Sequence, residues 1–253
     1  MYAFVTGATS GIGREIVKIL AGKKYNLIIV GRRIDRLKEL KKELEKQHNI
    51  NVVCFQCDLS DEKQCKELLT FLNDYKDIEV AINSAGFGKV GYVNKIDEKD
   101  ELNMIKTNVI ALHLLSKYFA QTMKKGNIVN ISSIAGTLPV PYMNTYGATK
   151  AYVNSFSLAL GYEMKKLKKD VKVTSVCPGP VDTEFNDIAG CKYKLKSITV
   201  KKCAKDIVKA MEKGKIIQPI GFVTKVLYYL SKITPYKIIL PIEYGVQIKK
   251  KED

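Results

Sequence analysis

Short apolar runs alternate with helical patterns along this 253-residue chain. Six runs read as strands buried on both faces: Tyr2–Thr6, Asn26–Val30, Val52–Cys57, Glu79–Asn83, Asn127–Ile131 and Lys172–Val176. Helical spacing fills the gaps. Ile12, Ile16, Ile19 and Leu20 mark a first helix, and Leu37, Leu40 and Leu44 a second. Cys65, Leu68, Leu69 and Leu72 follow the i, i+3, i+4, i+7 spacing of a third. A long helix is expected over about 101–124 and another over about 146–169, with Ala204, Ile207, Val208 and Met211 facing inward on a later one. Repeated strand–helix units with short connections call for an α/β, doubly wound architecture: a parallel sheet of about seven strands (the six named runs and one more) with helices on both faces. Without an internal repeat or a low-complexity linker, residues 1–253 are expected to form a single domain. A substrate lid is expected at about 186–197 and an apolar C-terminal helical extension at about 216–248.

Composition narrows the class. With 46% hydrophobic and 27% charged residues, the chain is that of a soluble globular protein. Tyr2–Thr6 already reads as a strand, so no secretory leader is expected, and the six cysteines suit a reducing cytoplasm. Cys54 and Cys57 form a CxxC within a strand, where they read as small buried apolar residues. The two histidines, His48 and His113, share no ligand spacing, and no metal site is expected. The net charge of +16 raises the question of nucleic acid. The lysines, however, are dispersed over helix faces, and no basic stripe carries interleaved aromatics, so no nucleic-acid partner is expected. The apolar stretches of the extension, Phe222–Leu230 and Ile238–Ile242, are far shorter than the roughly 18 residues that span a bilayer. The extension reads as amphipathic helices covering the sheet or a homo-oligomer interface, of a dimer or tetramer, with peripheral membrane contact as the alternative.

The candidate chemistry lies at strand ends. The first strand runs into Thr6-Gly7-Ala8-Thr9-Ser10-Gly11-Ile12-Gly13 and then a helix. Glycines there let the backbone approach a pyrophosphate, and the helix N-terminus stabilises its charge. The second strand ends Val30-Gly31-Arg32-Arg33, where an NAD enzyme usually carries an acidic residue for the ribose hydroxyls. Guanidinium groups instead suit a 2′-phosphate, and Arg14 can reach the same region; all four arginines lie within the first 36 residues. The expected cofactor is NADP(H). Asp58-Leu59 and Asn83-Ser84-Ala85-Gly86 end the third and fourth strands at the same edge. Asp58 reads either as a partner of the adenine amine or as a helix N-cap, a role for which Ser60 and Asp61 compete. Ser132-Ser133 and Pro178-Gly179-Pro180-Val181-Asp182-Thr183 follow the fifth and sixth strands.

Tyr146-Gly147-Ala148-Thr149-Lys150 opens a helix, where a four-residue separation turns side chains by ~400° and places them about 6 Å apart on one face. A tyrosine titrates near 10 in water, and a cation ~4 Å away supplies about the 4 kcal/mol that would bring it to roughly 7. Such a pair makes a general acid/base. A tyrosine and a lysine four apart are also common by chance in a chain with 14 tyrosines.

Together these residues resemble the short-chain dehydrogenase/reductase family in its short, single-domain form. The match runs in register from Thr6 to about Thr183. Thr6–Gly13 is similar to the family's TGxxxGxG, Asn83–Gly86 to its NNAG with Ser84 in place of the second Asn, and Tyr146 and Lys150 to its YxxxK. Asn108 and Ser133 fall at its catalytic Asn and Ser, and Pro178-Gly179 with Thr183 at the segment that holds the nicotinamide. The resemblance implies a Rossmann-type fold and an NADP-dependent oxidoreductase acting on a CH–OH group of a small-molecule alcohol or carbonyl. Tyr146 would exchange the proton, Lys150 would lower its pKa and bind the nicotinamide ribose, Ser133 would polarise the substrate oxygen, and Asn108 would hold a water leading from Lys150 to solvent. Cofactor contacts are expected from Gly7, Thr9, Ser10, Gly11, Ile12 and Gly13, from Arg14, Arg32, Arg33, Asp58 and Leu59, from Asn83, Ala85 and Gly86, and from Pro178, Gly179, Val181 and Thr183, besides Tyr146 and Lys150. A 3-oxoacyl-thioester reductase and a non-catalytic NADP-binding module are the competing readings.

Overall fold

Side chains on a strand alternate between faces, so a sheet with helices on both sides needs two apolar cores. The computed structural model, which describes residues 1–191 and 197–249, has both. Six strands fall on the expected runs: β1 (Tyr2–Thr6), β2 (Asn26–Gly31), β3 (Val52–Gln56), β4 (Ile78–Asn83), β5 (Lys125–Ile131) and β6 (Asp170–Pro178). A seventh, β7 (Ile217–Ile220), extends the sheet, giving the order β3-β2-β1-β4-β5-β6-β7 with all pairs parallel. β7 carries Pro219 and has only four residues, too short and too interrupted for an apolar-run criterion. Proline is tolerated there because β7 is an edge strand with a free side.

Ala3, Val5, Leu27, Ile29, Val80 and Ile82 point into one core, against helices α1 (Gly11–Gly22), α2 (Ile34–His48) and a later helix over Val200–Glu212. Phe4, Ile28, Val30 and Ala81 point into the other. They meet α3 (Glu62–Leu72) and the two helices that follow β4 and β5. The long helix expected over 101–124 is divided. It starts as α4 (Glu98–Ile105), passes through one wide π-helical turn (Lys106–Ala111), and continues as α5 (Leu112–Thr122). Next, α6 (Asn144–Lys166) runs from the carboxyl edge of the sheet. After β6 come the short α7 (Phe185–Ala189), then α8 (Val200–Glu212), β7, and two tail helices, α9 (Phe222–Ile233) and α10 (Tyr236–Ile248). Of the stretch expected to form a lid, 186–197, residues 186–191 and 197 are described, and residues 192–196 lie outside the described residues.

The tail is two-faced. Phe222 and Ile233 on α9 are 83% and 78% exposed, whereas Thr224 and Gln247 are buried against the body. Among the described residues, no helix is long and apolar enough to cross a membrane.

Phe119 on α5 is fully buried, with its ring centroid 5.0 Å from that of Phe4 on β1, an interior strand. Phe119→Ala should therefore cost about 3–5 kcal/mol of stability, the usual range for an aromatic removed from a packed core. Denaturant unfolding followed by circular dichroism measures it.

Candidate active site

Strand order reverses between β1 and β4, and in open parallel sheets a crevice forms outside the carboxyl ends at that point. A cavity of about 820 Å³ occupies it. It runs from Arg32 and Arg33 at the end of β2, past the glycine turn and Tyr146, to the inner faces of α9 and α10.

One half is polar. Gly7 has φ +68°, and a Cβ there would lie 2.9 Å from the Ala85 nitrogen. At Gly13 a Cβ would fall 2.3 Å from the Gly7 carbonyl oxygen, so the turn folds as it does only without side chains. Thr6 Oγ1 accepts from the Ser84 and Ala85 nitrogens at 3.0 and 3.1 Å, tying the turn to the end of β4. The first turn of α1 has no acidic residue, and Ser10 makes no side-chain cap, so the positive helix end faces an open groove. This cradle fits the pyrophosphate of a dinucleotide. At its outer end Arg33 donates to Thr9 Oγ1 and Ser10 Oγ at 3.0 Å each and to Glu184 Oε2 at 2.8 Å. Arg36 donates to the other Glu184 oxygen at 2.7 Å, and the hydrogen bonds from Arg33 and then Arg36 hold that carboxyl below the usual range. The Arg32 side chain is exposed and, among the described residues, unpaired.

Most of the residues expected to contact a cofactor line this groove: the glycine turn, Arg32, Arg33, Asp58, Leu59, Ala85, Gly86, Pro178, Gly179, Val181 and Thr183. Two do not. Arg14 turns toward α2 and pairs with Glu43 at 3.6 Å, because its place on α1 points it along the helix surface. Asn83 is buried, and its amide donates to Ser116 Oγ and Asn130 Oδ1 at 3.1 and 2.8 Å. It joins β4 to β5 and α5 instead of facing the groove. For Asp58 the N-cap alternative falls away, since Asp61 accepts from the Lys63 and Gln64 nitrogens at the start of α3.

The other half centres on α6. Tyr146 and Lys150 are only 8% and 5% exposed and share one face. Lys150 Nζ donates to the Ile131 carbonyl at 2.8 Å and sits 5.8 Å from the centre of the Tyr146 ring. The ammonium is thus aimed at a backbone oxygen, and the expected acidification of the phenol is not present in the protein alone. Burial pushes Tyr146 up to about 12, opposed only by a hydrogen bond with Ser133, and burial pushes Lys150 down to about 8. Ser133 Oγ also accepts from the Ala135 nitrogen at 3.1 Å, which caps the 3-10 turn Ile134–Gly136. Ser132, its neighbour, is buried and donates to the Lys150 backbone oxygen, which leaves Ser133 as the serine facing Tyr146. Asn108 sits in the π-helical turn with its side chain fully buried. Its oxygen accepts from the Phe87 nitrogen, and its amide donates to the Phe87 oxygen and Thr149 Oγ1. With these bonds made, the side chain is a positioning element between α6 and the loop that follows β4.

Beyond Tyr146 the wall is mainly apolar, with Ser231, Thr234, Glu243 and Gln247 of the tail among its polar residues. Phe185 packs 5.3 Å from the Tyr146 ring, and Val140, Met143, Leu227, Leu230, Ile239 and Ile242 continue the surface. Lys89, the cation on this wall, is paired with Asp100 at 2.9 Å. Sequence reasoning missed Glu184, Phe185 and the tail wall. The tail did carry a signal: Ile239, Ile242 and Val246 repeat at helical spacing, but nothing in the pattern said what they faced.

A family model described as short chain dehydrogenase matches residues 1–192. A serine 3-dehydrogenase from Rhizobium radiobacter is 35% identical over 185 residues, 72% of each chain. An NADP-dependent 3-hydroxy acid dehydrogenase from Salmonella typhi is 35% identical over 194 residues, 74% of this chain and 76% of its own. Among solved structures, a short-chain dehydrogenase from Sphingobium yanoikuyae in complex with NADPH superposes with a TM-score of 0.82 at 25% identity, over 92% of this chain and 96% of its own.

Burial gives the site a pH signature. Lys150 titrates near 8 when folded against 10.5 ordinarily, so between those values the unfolded chain holds a proton that the folded one lacks. Stability then rises with pH across that window. The Tyr146 shift acts in the opposite sense, but only above about 10. Wild type should gain thermal stability relative to Lys150→Met between about pH 8 and 9.5, by roughly 1–2 kcal/mol at 1.36 kcal/mol per unit. Melting curves of both proteins at the two pH values measure it.

Proposed function

The chain belongs to the short-chain dehydrogenase/reductase family, and from that premise we propose that it interconverts a carbonyl and a secondary alcohol with NADP(H), using Tyr146 as general acid/base. The observation that carries this reading is that Ser133, Tyr146 and Lys150 line one cavity together, with Lys150 one helical turn beyond Tyr146 on α6.

When bound, the nicotinamide supplies hydride to the carbonyl carbon or takes it from the carbinol carbon. Ser133 Oγ donates to the substrate oxygen and polarises it. Tyr146 delivers its phenolic proton to that oxygen in reduction and removes a proton from the alcohol in oxidation. A phenol held near 12 is protonated at neutral pH, the form that reduction requires. Oxidation needs the phenolate, so Lys150 must turn from the Ile131 carbonyl toward the phenol oxygen to stabilise it. Asn108 keeps both residues in place through Thr149.

Cofactor choice rests on the end of β2. The strand end itself carries no carboxylate for a free 2′-hydroxyl, and Arg32 presents an uncommitted guanidinium at the groove. The named relative and the solved neighbour, one NADP-dependent and one bound to NADPH, support the same choice. The substrate is read as an apolar ketone or alcohol, because the wall from Val140 to Ile242 is mainly apolar and Lys89 is already paired. Since α9 and α10 help to form that wall, we take residues 1–253 as one catalytic unit.

Two outcomes test this reading. Tyr146→Phe should lower turnover by at least the ~10²–10⁴ typical of acid/base groups while NADPH affinity stays within about two-fold. Ser133→Ala should likewise lower turnover without weakening cofactor binding. NADPH oxidation against a panel of apolar ketones, keto acids and acyl thioesters identifies the substrate, and wild-type turnover by Tyr146→Phe on that substrate would overturn the mechanism.

Binding should also favour NADPH over NADH by about 2–3 kcal/mol, and Arg32→Asp should reverse the preference. Fluorescence titration with both cofactors measures it, and equal affinities in the wild type would remove the NADP(H) reading.

A further inference from the structure

At the outer end of the cofactor groove, a carboxylate holds the guanidiniums that a 2′-phosphate would use. Glu184 Oε2 accepts from Arg33 at 2.8 Å and Oε1 from Arg36 at 2.7 Å, across 151 and 148 positions of sequence. Three more Arg33 N–H groups donate to Thr9 and Ser10. Of the three arginines at this end of the groove, only Arg32 has its side chain free among the described residues. Glu184 also immediately precedes α7, whose Phe185 packs on the Tyr146 ring and whose Ala189 oxygen accepts from the Val90 nitrogen. The grip on the arginines and the wall over the tyrosine are therefore adjacent in the chain.

We propose that Glu184 is an internal competitor of the cofactor's 2′-phosphate: it holds Arg33 and Arg36 until the phosphate takes them, and the exchange releases the chain segment that seats Phe185 against Tyr146. This rests on the NADP(H) reading above. A phosphate near neutral pH carries ~1.5–2 negative charges and three acceptor oxygens, so it outcompetes a single carboxylate for guanidinium. A cofactor without that phosphate offers only a hydroxyl and leaves Glu184 where it is. Glu184 thereby lowers affinity for the phosphorylated cofactor and in return lets its arrival be felt at the substrate wall. The pairs are partly exposed (side-chain exposures 39–46%), so the competition is modest.

The test uses adenosine 2′,5′-bisphosphate and 5′-AMP, which differ in the 2′-phosphate and lack the nicotinamide. By calorimetry, Glu184→Gln should bind the bisphosphate roughly five-fold more tightly than wild type and 5′-AMP within about two-fold. Glu184→Ala should repeat the result with a different side chain. The chain has no tryptophan, so Phe185→Trp supplies a single reporter next to Tyr146. Its emission should shift with the bisphosphate and not with 5′-AMP, and in combination with Glu184→Gln it should already be shifted without ligand. If wild type binds both nucleotides equally, the NADP(H) reading fails and this proposal with it. If wild type prefers the bisphosphate but Glu184→Gln binds it equally or more weakly, Glu184 does not compete and only this proposal is overturned. A Phe185→Trp signal that ignores the bisphosphate removes the coupling.

Discussion

The site depends on how α6 is fastened to the sheet. Apolar packing alone would leave a helix free to slide by a fraction of a turn; here side-chain hydrogen bonds from several elements hold its register. Ser132 donates to the Lys150 oxygen, Asn154 to the Gly136 oxygen, Asn130 to Ser157, and Asn108 to Thr149. Asn154 in turn accepts from Ser175 on β6 at 2.7 Å. Each such bond contributes only ~0.5–1.5 kcal/mol net, but a broken one leaves a buried polar group unsatisfied at ~1–3 kcal/mol. A shifted helix would break several at once. That asymmetry, more than the size of any one bond, fixes Tyr146 and Lys150 relative to Ser133.

The same burial sets the electrostatics. A phenol and an ammonium four residues apart suggest mutual stabilisation of phenolate and cation. Taking both groups out of water disfavours the charged form of each, and here that cost prevails: the phenol rises and the ammonium falls. The Coulomb attraction that would oppose it requires the ammonium near the phenol oxygen, and Lys150 spends its direction on Ile131. The protein by itself is poised with a neutral phenol and a lysine close to losing its proton.

Much of this was legible in the chain, and what was not has identifiable causes. Six strands were readable because buried parallel strands are continuous apolar runs; β7 is not, since an edge strand admits a proline. The glycine turn and the Tyr146–Lys150 spacing were readable because both are local. Side-chain direction was not. Arg14 and Asn83 sit at the right ends of the right elements yet point to Glu43 and to Ser116 and Asn130. The π-helical turn at Asn108 leaves no mark in periodicity, and Glu184 matters only because residues 151 positions apart meet.

The matched part of the chain and the cavity do not have the same boundary. The family match ends at residue 192, and within it lie the glycine turn, the arginines, Ser133, Tyr146 and Lys150. The far wall of the cavity comes from Leu227, Leu230, Ile239 and Ile242, all beyond it. The matches with the two named relatives cover about 72–76% of each chain. Their named substrates, serine and 3-hydroxy acids, are polar or anionic, whereas this wall is mainly apolar and its lysine is neutralised by Asp100. An anion placed there would lose hydration and meet no free cation among the described residues, a cost that an uncharged carbonyl avoids. The residues proposed for the chemistry lie in the matched segment, and the far wall of the cavity lies in the tail.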